Sequence, residues 1–192
     1  MKEMDKALAG AYYNAMDAEL LEARKECNQK CRHYNNLTVG DEKGQMISLH
    51  SILGKVEGHL TIMPPFYCDY GFNITMGEAT FINFNCTILD EAQVTFGRHV
   101  LVGPNCSFVT AKHPIDPLDR KTGNESAEPI TIEDNVWLGT GVIVNPGVRI
   151  GCNSVIGSGS VVTKDIPDNC VAFGNPCRYI RDIDESDKIN QG

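Results

Sequence analysis

One histidine stands where it could move protons. The segment Val109-Thr110-Ala111-Lys112-His113-Pro114 presents an imidazole, the side chain that most readily gains and loses a proton near neutral pH, so His113 is the candidate general base. The other four histidines read as ordinary solvated side chains. Motifs for covalent or nucleotide chemistry are missing: there is no Gly-x-Ser-x-Gly elbow and no phosphate loop. Gly139-Thr140-Gly141 runs on to Val144 where a dinucleotide fingerprint needs a third glycine. Lys plus Arg at 17 against Asp plus Glu at 25 gives a net charge of −8, which excludes diffuse attraction to nucleic acid or anionic lipid. An anionic ligand therefore needs a local cluster, and Lys164, Arg178 and Arg181 near the C-terminus supply one that could meet phosphates. Cys27, Cys31 and His33 lack a fourth ligand for structural zinc and read as packing residues; no metal is expected. The eight cysteines show no Cys-x-x-Cys pair and read as free thiols. With no apolar stretch long enough to span a membrane and no signal segment after Met1, the expectation is a cytoplasmic protein.

The elements that must position these groups follow from a repeat. Aliphatic residues recur every sixth position at Ile132, Leu138, Val144, Ile150, Ile156 and Val162, with Val136, Val142, Val148, Ser154, Ser160 and Ile166 four places further on. A step of six fits neither a helix nor a long strand, but it fits short strands separated by turns. Three hexads closing one triangular coil would stack parallel strands about 4.8 Å apart with the aliphatic position inward. Gly139, Asn145, Gly151 and Gly157, each beside an aliphatic residue, are expected to supply the positive φ of the corners. An earlier run, Met76, Ile82, Ile88 and Val94, keeps the step and then jumps two residues to Phe96, Val102 and Phe108, which reads as a corner insertion. Cys86 and Cys106 fall at inward positions and read as core. The fold class is an all-β repeat, a parallel β-helix with an N-terminal α-helical segment and a long excursion loop.

Residues 5–34 read as one amphipathic helix with a stripe through Leu8, Tyr12, Leu20, Leu21, Arg24, Cys27, Cys31 and Tyr34, and 43–55 as a second. Between Phe108 and Ile132 the would-be core positions are Pro114, Arg120 and Ser126, so the chain must leave the prism as an excursion, about 109–131. The expected organisation is a helical segment over 1–60, the prism over 61–168 and a tail over 169–192.

Several segments together resemble one family. Ala9-Gly10-x-x-Tyr13-Asn14-Ala15-x-Asp17-x-Glu19-Leu20, Phe81-Ile82-Asn83-Phe84-Asn85-Cys86, His113-Pro114, Asn135-Val136-Trp137-Leu138-Gly139 and Thr163-Lys164-Asp165-Ile166-Pro167 are similar to the maltose and galactoside O-acetyltransferases of the hexapeptide-repeat class. The resemblance implies a left-handed β-helix, a homotrimer with sites between prisms, and transfer of acetyl from acetyl-CoA to a saccharide hydroxyl. His113 matches the catalytic base, and direct attack on the thioester requires no enzyme nucleophile. By the same resemblance the Thr140 N–H receives the oxyanion with Asn83 assisting. Asp17, Asp69, Asn83, Glu91 and Glu125 match the acceptor site, and Thr140, Ser158, Thr163, Lys164, Arg178 and Arg181 the CoA site. Asp69, Phe81 and Glu91 stand where the galactoside enzyme has serine, tyrosine and aspartate, which leaves the sugar itself open. Asp17 also suits the N-cap of a helix starting near Ala18.

Other readings of the same prism are a transferase acting on a serine or antibiotic hydroxyl, a zinc-dependent carbonic anhydrase and a non-catalytic assembly surface. The zinc enzyme needs three histidines, whereas only His99 and His113 fall near the prism. Apolar residues on flat faces, such as Phe108, Val109 and Trp137, argue for the trimer.

Overall fold

The computed structural model describes residues 1–38 and 40–189. The hexads build a parallel β-helix of about six turns whose strands stack on three faces. Face 1 holds Lys55–Val56, Ile74–Met76, Val94–Phe96, Ile130–Ile132 and Arg149–Ile150. Face 2 runs from Thr61–Ile62 through Phe81–Ile82, Leu101–Val102, Trp137–Leu138 and Val155–Ile156 to Cys170–Gly174. Face 3 holds Phe66–Cys68, Cys86–Leu89, Ser107–Val109, Ile143–Val144 and Val161–Val162. Aliphatic hexad positions point inward and are buried, Cys86 and Cys106 with them, so that hydrophobic burial is repeated at every level of the stack. Phe108, read both in the inward repeat and as a flat-face residue, is inside at 0% exposure against the edge of Phe96, whereas Trp137 faces out at 54%.

The corners divide their work differently from the expectation. Positive φ falls three residues after the aliphatic position, at Asn135, Gly141, Gly147, Asn153 and Gly159, because that is where the chain turns. Asn135 donates to Asn153 at 2.9 Å and Asn153 to Asn169 at 2.7 Å, a ladder that ties successive coils. The glycines directly beside the aliphatics permit close stacking instead: a Cβ on Gly139 would come within 2.7 Å of the Ser158 backbone nitrogen.

Coil length is not uniform, and the difference is confined to one edge. Thr75 lies opposite Thr95, a register offset of 20 residues, whereas Trp137 lies opposite Val155, an offset of 18. Ile88, Phe108 and Val144 are in register on face 3, and Val94, Ile130 and, through the Thr131 N–H to the Val148 carbonyl, Val148 on face 1. The turn from face 3 to face 1 therefore runs from Ile88 to Val94, from Phe108 to Ile130, and only from Val144 to Val148. The inserted residues all emerge at this edge in the first three coils: 69–73, 89–93 and the excursion.

The excursion is ordered by the N-terminal segment. Ala111–Lys112 pairs antiparallel with Asn124–Ala127, which pairs antiparallel with Tyr13–Asn14. The expected single helix over 5–34 is two, α1 (Glu3–Leu8) and α2 (Ala18–Asn35). Gly10 at φ +70 ends the first, Asp17 caps the second by accepting from the Glu19 and Leu20 N–H groups, and between them Tyr13 is driven into the interior. α3 spans Glu42–Ile52, and α4 (Pro117–Arg120) sits at the tip of the excursion. The strands extend from Lys55 to Asp182, wider than 61–168, since Cys170–Gly174 adds to face 2 and Cys177–Asp182 returns antiparallel along it. Among the described residues no helix is long and apolar enough to cross a membrane.

Ile132 is fully buried in the central coil, so Ile132→Ala should lower the unfolding free energy by about 2–5 kcal/mol in urea denaturation. A loss under about 1 kcal/mol would mean that the interior is not close-packed there.

Candidate active site

His113 and four of the five predicted acceptor residues gather on the enlarged edge and the N-terminal segment docked against its excursion. Lys112 forms an ion pair with Glu128 at 2.6 Å, Pro114 is buried, and the Arg120 guanidinium donates to the Pro114 and Ile115 carbonyls at 3.0 Å. Held between these anchors, the His113 side chain remains 63% exposed with Nδ1 3.5 Å from Glu125 Oε2. The Glu125 side chain is 8% exposed, and its Oε1 accepts from the Tyr13 hydroxyl at 2.5 Å. Burial and the adjoining carboxylate push the Tyr13 phenol well above its ordinary range, so it stays a donor. Glu125 is thus committed on one side to Tyr13 and faces His113 on the other. That geometry suits it to orient the imidazole, leaving Nε2 toward solvent.

Below the excursion lie the two acidic corners. Asp69 is half-buried, and Glu91 is buried within hydrogen-bonding reach of it. Asp17 reaches the edge from the start of α2, with Oδ1 occupied by its capping bonds. Asp90 is fully buried and accepts from the Tyr70 and Asn73 N–H groups at 2.8 and 3.3 Å, bracing the first corner.

The remaining predicted residues lie elsewhere. Asn83 and Thr140 follow face 2 strands, on the edge where face 2 turns to face 3, and Ser158 stacks over Thr140 with Oγ accepting the Thr140 N–H at 3.1 Å. Asn83 Oδ1 accepts the Phe84 N–H at 2.8 Å; its amide nitrogen has no protein partner among the described residues. Ile82, Val102 and Leu138 are in register, so a whole coil separates the levels of Asn83 and Thr140, roughly 10 Å along the stack. The structure therefore does not bring Asn83 and the Thr140 N–H to one oxyanion, as the sequence suggested. Nor does it bring either to His113 within one chain, since face 3 lies between the two edges. Lys164 and Arg178 line a cavity of about 240 Å³ at the C-terminal end, with Thr163 exposed beside it. Arg181 is held apart by a bidentate pair with Asp187, both contacts 2.7 Å.

The maltose acetyltransferase hexapeptide capping motif matches residues 6–58, and the bacterial transferase hexapeptide (six repeats) matches 129–164. The galactoside O-acetyltransferase of Lactococcus lactis is 44% identical over 91% of this chain and 85% of its own. The chain belongs to the maltose and galactoside O-acetyltransferase family. Among solved structures, a maltose O-acetyltransferase from Clostridium difficile 630 superposes with a TM-score of 0.94 at 44% identity, covering 96% of this chain and 99% of the other. A galactoside acetyltransferase in complex with coenzyme A gives 0.93 at 40% identity, covering 97% and 94%.

The sequence assigns no role to three residues beside the candidate site of this acetyltransferase. Tyr13 holds Glu125; Tyr70, buried at the first corner, accepts from the Arg24 guanidinium at 2.6 Å; Thr110 braces Glu91. The Thr110 oxygen accepts the Ala92 N–H at 3.0 Å and lies 2.9 Å from the Leu89 carbonyl and 3.0 Å from Glu91 Oε2. The single hydroxyl proton has two acceptors in reach, the Leu89 carbonyl and Glu91 Oε2. Burial, and next the neighbouring Asp69, push the Glu91 carboxyl up to about 9 against the opposing pull of the Thr110 hydroxyl. Burial likewise pushes Asp90 up to about 7.

A carboxyl that holds its proton more tightly when folded contributes stability at low pH and loses it as pH rises from the unfolded to the folded value. Glu91→Gln, neutral at every pH, should therefore show a smaller fall in Tm between about pH 5 and about pH 9 than the native protein. Parallel Tm–pH curves would indicate that Glu91 is already ionised at neutral pH.

Proposed function

We propose that this chain transfers acetyl from acetyl-CoA to a hydroxyl of a small saccharide, in a site built between copies of a cyclic homotrimer. The observation that carries the reading is the Tyr13–Glu125–His113 chain at the enlarged edge, a positioned imidazole beside acidic corners that can bind hydroxyls. The partner side is the face 2 to face 3 edge of a neighbouring copy, with Asn83 at the level of the acidic corners. Exposed Phe84, Leu101 and Trp137 on and beside face 2 give that contact its apolar surface.

In this arrangement His113 Nε2 removes the proton of the acceptor hydroxyl while its oxygen attacks the thioester carbonyl. Asn83, whose amide nitrogen lacks a protein partner, donates to the oxyanion that forms. The intermediate collapses by expelling the CoA sulfur, which takes up the proton held on His113, so no covalent enzyme intermediate arises. Asp69 and Asp17 accept hydroxyl protons from the sugar, and a protonated Glu91 can also donate, a mixed set suited to a polyol. CoA runs past Thr140 and Ser158 on the face 2 to face 3 edge toward Thr163 and Lys164, which follow the last strand of face 3. There Lys164 and Arg178 meet its phosphates, while Arg181 contributes only by leaving Asp187.

Thiol release from acetyl-CoA over a panel of saccharides tests the activity directly; turnover with none of them, but with serine, would overturn the sugar reading. His113→Ala should lower kcat by about 10²–10⁴ with little change in acetyl-CoA affinity, and His113→Asn should not rescue it, because an amide cannot accept the proton. A variant keeping more than about a third of native kcat would remove His113 from the mechanism.

Lys164 is exposed and makes no ion pair among the described residues, which frees it for phosphate. Lys164→Ala should raise the KM for acetyl-CoA and leave the acceptor KM nearly unchanged. Equal increases in both would assign Lys164 to folding rather than to CoA.

A further inference from the structure

Three thiols meet where α2 packs on the first coil. Cys27 and Cys31 lie one turn apart on α2, and Cys68 ends the first strand of face 3; all three are buried. Cys27 Sγ is 3.5 Å and Cys31 Sγ 3.7 Å from Cys68 Sγ, and all three sulfurs lie within 4.8 Å of one another. Other core thiols are satisfied differently: Cys86 and Cys106 donate to the Gly103 and Gly139 carbonyls at 3.4 and 3.2 Å. In the trio the closest partners are the other sulfurs.

We infer that Cys27, Cys31 and Cys68 form a three-thiolate site for a soft monovalent cation of the copper(I) class, which clamps α2 to the first enlarged corner. Thiolates select soft ions. The donor set is three sulfurs with no imidazole or carboxylate among them, which suits a three-coordinate centre better than zinc, whose structural sites close with four ligands. A trigonal centre with bonds of about 2.3 Å sets its sulfurs about 4.0 Å apart, a few tenths of an ångström beyond the two spacings to Cys68. A cavity of about 520 Å³ opens beside Cys68, and its charged lining is Arg24, Lys25 and Arg32 with one carboxylate, Asp69. It offers an entry path and places positive charge beside a centre that, with three thiolates and one unit of positive charge, carries two negative charges. Binding exchanges thiol protons for the cation with no change of oxidation state, and the released protons go to solvent.

The test is an anaerobic titration of the full-length protein with copper(I), supplied as its acetonitrile complex in competition with a chromophoric copper(I) chelator, followed by X-ray absorption at the copper edge. The result expected is one tight equivalent per chain with three sulfur scatterers, and a rise in Tm on loading. Cys27→Ala and Cys68→Ala should each weaken that equivalent by at least about 100-fold, whereas Cys152→Ser should not. The Tm of each metal-free variant reports whether it is folded; should Cys68→Ala not fold, Cys27→Ala and Cys31→Ala carry the test. Undiminished tight binding in the folded variants, two sulfurs or nitrogen ligands in the absorption spectrum, or no tight binding at all would each overturn the proposal. Cobalt(II) bound by the trio with a tetrahedral spectrum would overturn the three-coordinate reading.

Discussion

Every coil of the prism must return its chain to the register of the coil below, because the backbone N–H and C=O groups of each short strand are satisfied only by the strands above and below it. That requirement fixes the inward aliphatic positions and the Asn and Gly corners, and it leaves one freedom. Residues added between two faces do not disturb the ladder provided the chain re-enters the next strand in register. The protein uses that freedom at a single edge in three successive coils, with two additional residues at 69–73 and at 89–93 and a whole excursion between Val109 and Ile130. The acidic corners, His113 and Glu125 are held on a rigid stack for this reason.

An excursion of this length would be mobile without support, and the N-terminal segment provides it. Tyr13–Asn14 adds a strand to the excursion, while the buried Tyr13 hydroxyl fixes Glu125, whose other oxygen faces His113. The Tyr13–Glu125 contact, between residues 112 positions apart, thus joins the strand pairing, the Lys112–Glu128 ion pair and the Arg120 contacts that order the loop around the imidazole. The helical N-terminus serves in this sense as part of the site. It reaches the acidic corner as well, since Arg24 on α2 donates to Tyr70 and to the Ala15 carbonyl.

The prism was legible in the sequence because burial repeats with a fixed period: Ile132, Leu138, Val144, Ile150, Ile156 and Val162 declare the inward face without knowledge of tertiary contacts. The two-residue jump to Phe96 was legible as a corner insertion, although the added residues lie at 89–93 and Val94–Phe96 is one strand, and so was the departure of the excursion, where Pro114, Arg120 and Ser126 cannot fill core positions. Contacts between distant segments were not. Nothing local to Tyr13 points to Glu125, and nothing local to Gly10 distinguishes a break from a tolerated glycine in a helix over 5–34. The roles of the corner glycines were misplaced for a related reason: close stacking of Gly139 on Ser158 depends on the next coil, not on the hexad itself. Separation of Asn83 from Thr140 by an intervening coil follows from register, which a list of matching residues does not contain.

The central claim is that a working site combines the enlarged edge of one copy with the face 2 to face 3 edge of another. The most direct measurement mixes two inactive chains, His113→Ala and Asn83→Ala, by co-expression or by unfolding and refolding together, and reads thiol release from acetyl-CoA. With random mixing about a quarter of the subunit interfaces pair an intact His113 with an intact Asn83, so the account predicts recovery of about a quarter of native activity. Mixed oligomers no more active than the separate variants would contradict it.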